Sequence, residues 1–180
     1  MKLAACVLVL AATAASAEPL PPGSLSLAGG MFSGTGADAD PLGFGYRIGA
    51  MAAWQPISTE RRWGWAVRWS TLFGRMWDAS AAKVSSGLLT VDMDLTVGLR
   101  FRPWSTPSRY LTARVGGMLL RANEPIPPKE QRAFLGGVGS VGLDQYISGI
   151  AMLNVDVRYG LLGGGPEGVA LIIGIGVVGP

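Results

Sequence analysis

Two aspartates, Asp92 and Asp94, are the residues of this sequence whose type and spacing first suggest chemistry. In a β-strand, side chains two residues apart point to the same face, so the two carboxylates would lie together. Such a pair can perform acid–base catalysis or bind a cation. Neighbouring segments place arginines on the same face, and buried carboxylates commonly pair with arginine. The sequence therefore favours a structural ion-pair network over a catalytic or metal site.

The predicted network joins the charged residues that share one strand parity. The prediction rests on Arg68, which shares this parity with Asp92 and Asp94 and lies on the segment before them. An unpaired charge in a narrow interior costs several kcal/mol, whereas a hydrogen-bonded pair roughly breaks even. Its predicted members are Arg47, Arg68, Asp92, Asp94, Arg100, Arg102, Arg114, Asp144, Asp156 and Arg158.

Other chemistry is excluded largely by composition. The chain has no histidine, which removes the usual general base and the commonest metal ligand. The stretch Gly137–Gly142 matches G-x-G-x-x-G, but no helix follows it, so it is not a dinucleotide fingerprint. The formal net charge of +3 is scattered among acids, without the basic stripe that nucleic acid requires. We expect no enzymatic activity, no catalytic residue, no cofactor, no metal ion and no nucleic-acid partner.

The first 17 residues, MKLAACVLVLAATAASA, predict a signal peptide. A lysine precedes an apolar run, and Ala15-Ser16-Ala17 has the small-x-small pattern of a cleavage site. The only cysteine, Cys6, would leave with this peptide. We therefore expect an exported protein whose residues 18–180 form a single domain without a disulfide.

Apolar and polar residues alternate through that domain with the period of two that is typical of β-strands. The clearest example is LLTVDMDLTVGLRFR, residues 88–102, in which Leu95 has one parity and Asp94 the other. Most predicted strands have 10 to 15 residues, above the usual mode of about 5–6. The eight predicted strands are Ser24–Ser33, Gly43–Gln55, Trp63–Trp77, Leu88–Arg102, Tyr110–Arg121, Ala133–Asp144, Ile150–Gly160 and Gly168–Val178.

Two architectures fit eight long alternating strands. A soluble lipocalin-like barrel would face its apolar parity inward and bind a hydrophobic ligand, whereas an outer-membrane barrel would face it towards lipid. All lysines and glutamates lie outside the predicted strands, although water-exposed surfaces use both freely. The polar parity instead holds Gly, Ser, Thr, Arg and Asp, which suit a narrow lumen. We therefore predict an all-β, eight-stranded antiparallel transmembrane barrel.

Aromatic residues of the apolar parity lie mostly towards strand ends, which is typical of the two interfacial girdles of a membrane barrel. The predicted interfacial residues are Phe44, Tyr46, Trp54, Trp63, Trp65, Trp77, Phe101 and Tyr159.

In length and strand pattern the chain resembles the small eight-stranded outer-membrane barrels of the OmpA/OmpX type. The resemblance implies periplasmic termini, an up-and-down order and a lumen closed by side chains. That class often ends its last strand on an aromatic residue, whereas this chain ends Gly-Val-Val-Gly-Pro. The outward connections would be Gly34–Leu42, Asp78–Gly87, Ala122–Arg132 and Leu162–Glu167.

Two arginines, Arg75 and Arg121, break the apolar parity near the outward ends of their strands. We predict that they contact phosphorylated lipid headgroups, with lipopolysaccharide as the candidate lipid, because guanidinium binds phosphate in bidentate geometry. Ordinary solvated strand ends are the alternative. The expected role is structural or surface-interacting in the cell envelope, and the alternative to it is a barrel subunit of a trans-envelope machine. The sequence names no envelope protein partner.

Overall fold

The computed structural model describes residues 23–35, 43–55, 62–77, 88–105, 108–126, 131–148, 150–163 and 167–179. The predicted signal peptide lies outside these residues. Within them the chain forms eight strands, which are β1 (Gly23–Gly34), β2 (Phe44–Trp54), β3 (Trp63–Trp77), β4 (Leu88–Phe101), β5 (Arg109–Ile126), β6 (Gln131–Ser148), β7 (Ala151–Leu162) and β8 (Glu167–Gly179).

Each strand pairs antiparallel with its neighbours in sequence, and β8 pairs with β1 to close a barrel. The register shows how strongly the strands tilt. Following the pairs from Gly29 through β2, β3 and β4 leads to Arg121 on β5, whereas following them through β8, β7 and β6 leads to Leu111. These two residues of β5 are ten positions apart, and a stagger of this size corresponds to a tilt of about 40°.

The exposure of the two parities of β4 shows which face of the barrel wall lies outside. Leu95 is 58% exposed and Leu99 is equally exposed, whereas Asp94 on the other face is 5% exposed. The same inversion recurs around the barrel, so the lumen holds the charged side chains and the exterior is apolar. The soluble lipocalin-like alternative is therefore wrong, because that fold requires the opposite arrangement.

Six of the predicted strands end within one or two residues of their observed bounds, but β5 and β6 are longer than predicted. The connection predicted over Ala122–Arg132 is largely a hairpin, since β5 continues to Ile126 and β6 begins at Gln131. Its register shifts between Arg121 and Ile126. Pairing resumes at Ile126 and Gln131, because backbone hydrogen bonds do not require the apolar alternation that identifies the membrane-facing part of a strand.

The glycine-rich part of β6 pairs in continuous register with β7 from Gly136 to Tyr146. The register shift comes later, between Tyr146 and Ser148, and leaves one extra residue on β6. Gly142 lies in the regular part and faces the lumen. A Cβ atom at this position would overlap the Asp156 carboxylate, so the glycine provides the space that this carboxylate occupies.

Candidate functional site: the charged lumen and the far rim

Asp156, on β7, is the centre of the ion-pair network in the lumen and is 1% exposed. Its Oδ2 contacts Arg68 Nη1, and its Oδ1 accepts a hydrogen bond from Arg114 Nη2 at 2.5 Å. Arg158 Nη2 lies 3.7 Å from Oδ2. One carboxylate thus contacts three guanidinium groups, which belong to β3, β5 and β7.

Two further carboxylates extend this network. Arg158 Nη1 donates to Asp94 Oδ2 at 2.6 Å and to Ser70 Oγ at 2.9 Å, and the Ser70 hydroxyl in turn donates to Asp94. Arg68 Nη2 donates to Asp144 Oδ1 at 3.2 Å. Asp94 and Asp144 are therefore both joined to the centre through arginines.

Arg47 and Asp92 form a separate buried pair. The Arg47 guanidinium also lies 4.2 Å from the centre of the Phe32 ring. Asp92 and Asp94 therefore bind different arginines, which disfavours joint acid–base work. Among the described residues, no three His, Cys, Asp or Glu side chains are grouped so that they could hold a metal ion.

Arg68, whose shared parity with Asp92 and Asp94 motivated the network, makes an ion pair with neither of them. Arg68 reaches across the lumen to Asp144 and Asp156 instead. In a narrow barrel the long arginine side chain spans the interior, so its partner lies on a distant strand.

Arg100 differs from the prediction in another way. Arg100 is 2% exposed, but its contacts in the structure are with tyrosines rather than with a carboxylate. Its guanidinium carbon lies 3.4 Å from the Tyr110 ring centre, and Nη2 donates to Tyr146 Oη at 2.8 Å. Arg102 lies beyond the end of β4, where its backbone N–H donates to the Arg62 carbonyl at 2.9 Å.

We call the end of the barrel where β1 begins and β8 ends the terminal end, and the opposite end the far end. Apolar side chains fill the lumen between the ion pairs and the far end. Their buried members are Ala28, Phe32, Met51, Leu72, Met76, Met118, Leu120, Ala122, Phe134, Val138, Leu162, Ala170 and Ile172. A smaller cluster of Tyr110, Tyr146, Met152 and Val178 fills the terminal end.

A cavity of about 20 Å³ lies between the apolar filling and the ion pairs, next to Asp92 and Arg158. That is room for about one water molecule. Side chains therefore occupy this part of the lumen.

The exterior carries a band of aromatic side chains towards each end of the barrel, and Trp69 and Phe73 of β3 lie exposed between the two bands. Towards the terminal end, Trp54 contacts Trp65 with ring centres 4.5 Å apart, and Trp63 contacts Phe101 at 4.3 Å. Phe101 is half-buried by this contact and is less exposed than the other predicted interfacial residues. Towards the far end the exposed rings are Phe44, Tyr46, Trp77 and Tyr159, and Tyr46 lies 5.6 Å from Trp77.

Arg75 lies beside the far band, paired in register with Tyr46 and Leu89. On β3 it is ten residues from Trp65 of the other band. At about 3.3 Å per residue and a tilt of about 40°, these ten residues span about 25 Å along the barrel axis. This equals the height of the apolar band of an outer-membrane barrel, about 25 Å, so Arg75 lies at its edge.

Arg121 is exposed on β5 and pairs with Val91, two residues nearer the terminal end than the row of Arg75. Because the strands tilt, a row of paired residues rises towards the far end from β3 to β5. This rise nearly cancels the two residues by which Arg121 lies below the row of Arg75. Arg75 and Arg121 therefore lie at about the same height and about 12 Å apart around the barrel.

Sequence reasoning missed Ser70, Tyr110 and Tyr146 as partners of the lumen arginines. The signal for Tyr110 was its parity, which it shares with Arg114. Tyr146 lies beyond the predicted end of its strand, so the pattern placed it in a turn.

No protein-family model matches this sequence, and no curated protein matches it. Solved structures do match. Ail, the attachment invasion locus protein of Yersinia pestis, superposes with a TM-score of 0.54 at 14% identity, over 86% of this chain and 95% of Ail. Neisserial surface protein A superposes with a TM-score of 0.50 at 11% identity, over 87% of this chain and 95% of that one.

The chain has the fold of the small eight-stranded outer-membrane barrels. Its apolar exterior and the closure of the sheet, which leaves no unpaired edge along the wall, satisfy what a bilayer requires of a spanning sheet. Fold and exterior together place the protein in the outer membrane. A further structure of Ail, in complex with the heparin analogue sucrose octasulfate, matches with the same TM-score of 0.54.

Proposed function

We propose that this barrel is a non-enzymatic envelope protein whose far rim binds the phosphorylated headgroups of the outer leaflet through Arg75 and Arg121. The observation that carries the proposal is the position of the two arginines at one height, at the edge of the apolar band. A lipid-facing arginine costs about 2–4 kcal/mol at the midplane but only about 0–1 near the interface. A phosphate at that level would make the contact favourable.

The lumen supports a role at the surface rather than in catalysis or transport. Each of its four buried aspartates is bound by arginine, and the sequence offers no histidine as a base. General aqueous channels occur in barrels of about 16–18 strands. The surface that remains for interaction is the rim and its hairpins.

Ail, which shares this fold, has been crystallised with a polysulfated sugar. A polyanion at a barrel of this shape is consistent with an anionic lipid headgroup as the ligand here. The interpretation as a subunit of a trans-envelope machine stays a prediction, for which the rim offers no specific support.

The test is the double variant Arg75→Gln/Arg121→Gln, refolded and titrated with lipopolysaccharide. Surface contacts of this kind contribute about 0.5–1 kcal/mol each, so the affinity should fall roughly tenfold and the remaining binding should depend less on salt. The matched control is Arg62→Gln, which removes an exposed arginine at the terminal end. If the double variant binds as tightly as the wild type at every salt concentration, the two arginines are solvated strand ends and the proposal fails.

A further inference from the structure

The buried charges of the lumen do not balance. Among the described residues, five arginines are buried there, namely Arg47, Arg68, Arg100, Arg114 and Arg158. Four aspartates are buried with them, namely Asp92, Asp94, Asp144 and Asp156. The described lumen therefore has one positive charge in excess.

That excess lies at Arg100. The other four arginines each contact at least one of the aspartates, and each aspartate contacts at least one of those four arginines. Arg100 makes no ion pair with a described carboxylate. It rests on the Tyr110 ring and donates one hydrogen bond to Tyr146, and these contacts compensate a buried cation only in part.

The surroundings of Arg100 also contain donors without acceptors. Its Nε and Nη1 are buried and have no hydrogen-bond partner among the described residues, and the same holds for the hydroxyl of Thr112. Arg100 and Thr112 are direct cross-strand neighbours on the inner face, so these unpartnered groups belong to the same part of the lumen wall. Tyr146 adds a further donor, since its oxygen accepts from Arg100 and its own hydrogen can be given to another group.

We propose that the terminal end of the lumen holds one small monovalent inorganic anion, of which chloride is the abundant example, against Arg100 and Thr112. A water molecule could accept these hydrogen bonds but could not neutralise the charge. A larger anion is disfavoured, because Tyr110, Tyr146 and Met152 fill the space beside the site. The bound anion would stabilise the folded barrel, because the unfolded chain has no such site.

The experiment is reversible unfolding of the refolded full chain in detergent, with sodium chloride exchanged for sodium gluconate at constant ionic strength. Above the dissociation constant, each tenfold rise in chloride should raise the ratio of folded to unfolded protein by up to tenfold. Arg100→Gln should abolish this dependence, because it removes the charge that the anion neutralises. Arg62→Gln, an exposed arginine at the same end, should retain it.

Two results would overturn the proposal: a wild-type stability that is the same in chloride and gluconate, or a chloride dependence that persists unchanged in Arg100→Gln. A second measurement does not depend on how the variant folds. Wild-type crystals soaked in bromide should give an anomalous peak at hydrogen-bonding distance from the Arg100 guanidinium. A wild-type map without that peak would refute the anion site.

Discussion

Replacing Asp156 by asparagine is the sharpest test of the ion-pair network, because this carboxylate contacts three arginines. Arg68 would keep Asp144 at 3.2 Å, and Arg158 would keep Asp94 at 2.6 Å. Arg114 would lose its only ion pair among the described residues. The change therefore leaves one buried guanidinium without a counter-charge, and we expect a loss of about 3–5 kcal/mol in the free energy of unfolding.

A compensating substitution separates this mechanism from a general loss of packing. Arg114→Gln in the Asp156→Asn background removes the stranded charge, so the double variant should recover at least about 2 kcal/mol of the loss. The assay is urea unfolding in lipid vesicles, followed by tryptophan fluorescence. Glu124→Gln, at an exposed carboxylate of the β5–β6 hairpin, is the control and should change stability by less than about 0.5 kcal/mol. If the two changes in the lumen are simply additive, the ion pair does not exist as described.

Three further outcomes follow from the same structure. Asp94→Ala should cost about 3–5 kcal/mol in unfolding measurements, because the long contact to Asp156 is then the only carboxylate contact left to Arg158 among the described residues, and an unchanged unfolding midpoint would contradict this. Gly142→Ala should destabilise the barrel by at least about 1 kcal/mol, because its methyl group displaces the Asp156 carboxylate, and wild-type stability would show that the space is not needed. Leu95→Arg should cost about 2–4 kcal/mol and impair insertion into vesicles, whereas normal insertion would place Leu95 away from the bilayer core.

The fold could be predicted from the sequence because a period of two specifies both the strand and its faces. Long alternating runs such as residues 88–102 determine the strand and the side that Asp94 faces. The ends of β5 and β6 could not be predicted in the same way. Their hairpin leaves the apolar band, and residues such as Glu124 continue a strand without the alternation that marks a membrane-facing wall.

The sequence predicts which side chains line the lumen, but it does not predict which of them pair with each other. Parity identifies which side chains point inward, and it correctly placed Arg68 and Asp156 in the interior. It does not say which strands face each other across the lumen, because that depends on the stagger of the closed sheet. For this reason the partners of Arg68 could not be predicted, and the tyrosines that contact Arg100 were missed.

The orientation of the barrel wall is the central claim, and spin labels at adjacent positions of β4 test it most directly. A label at Leu95 should be accessible to oxygen dissolved in the bilayer and shielded from a polar relaxation agent. A label at Thr96, on the inner face, should be shielded from both. A label at Leu95 that the polar agent reaches readily, while oxygen in the bilayer does not, would contradict the account and place the apolar face away from lipid.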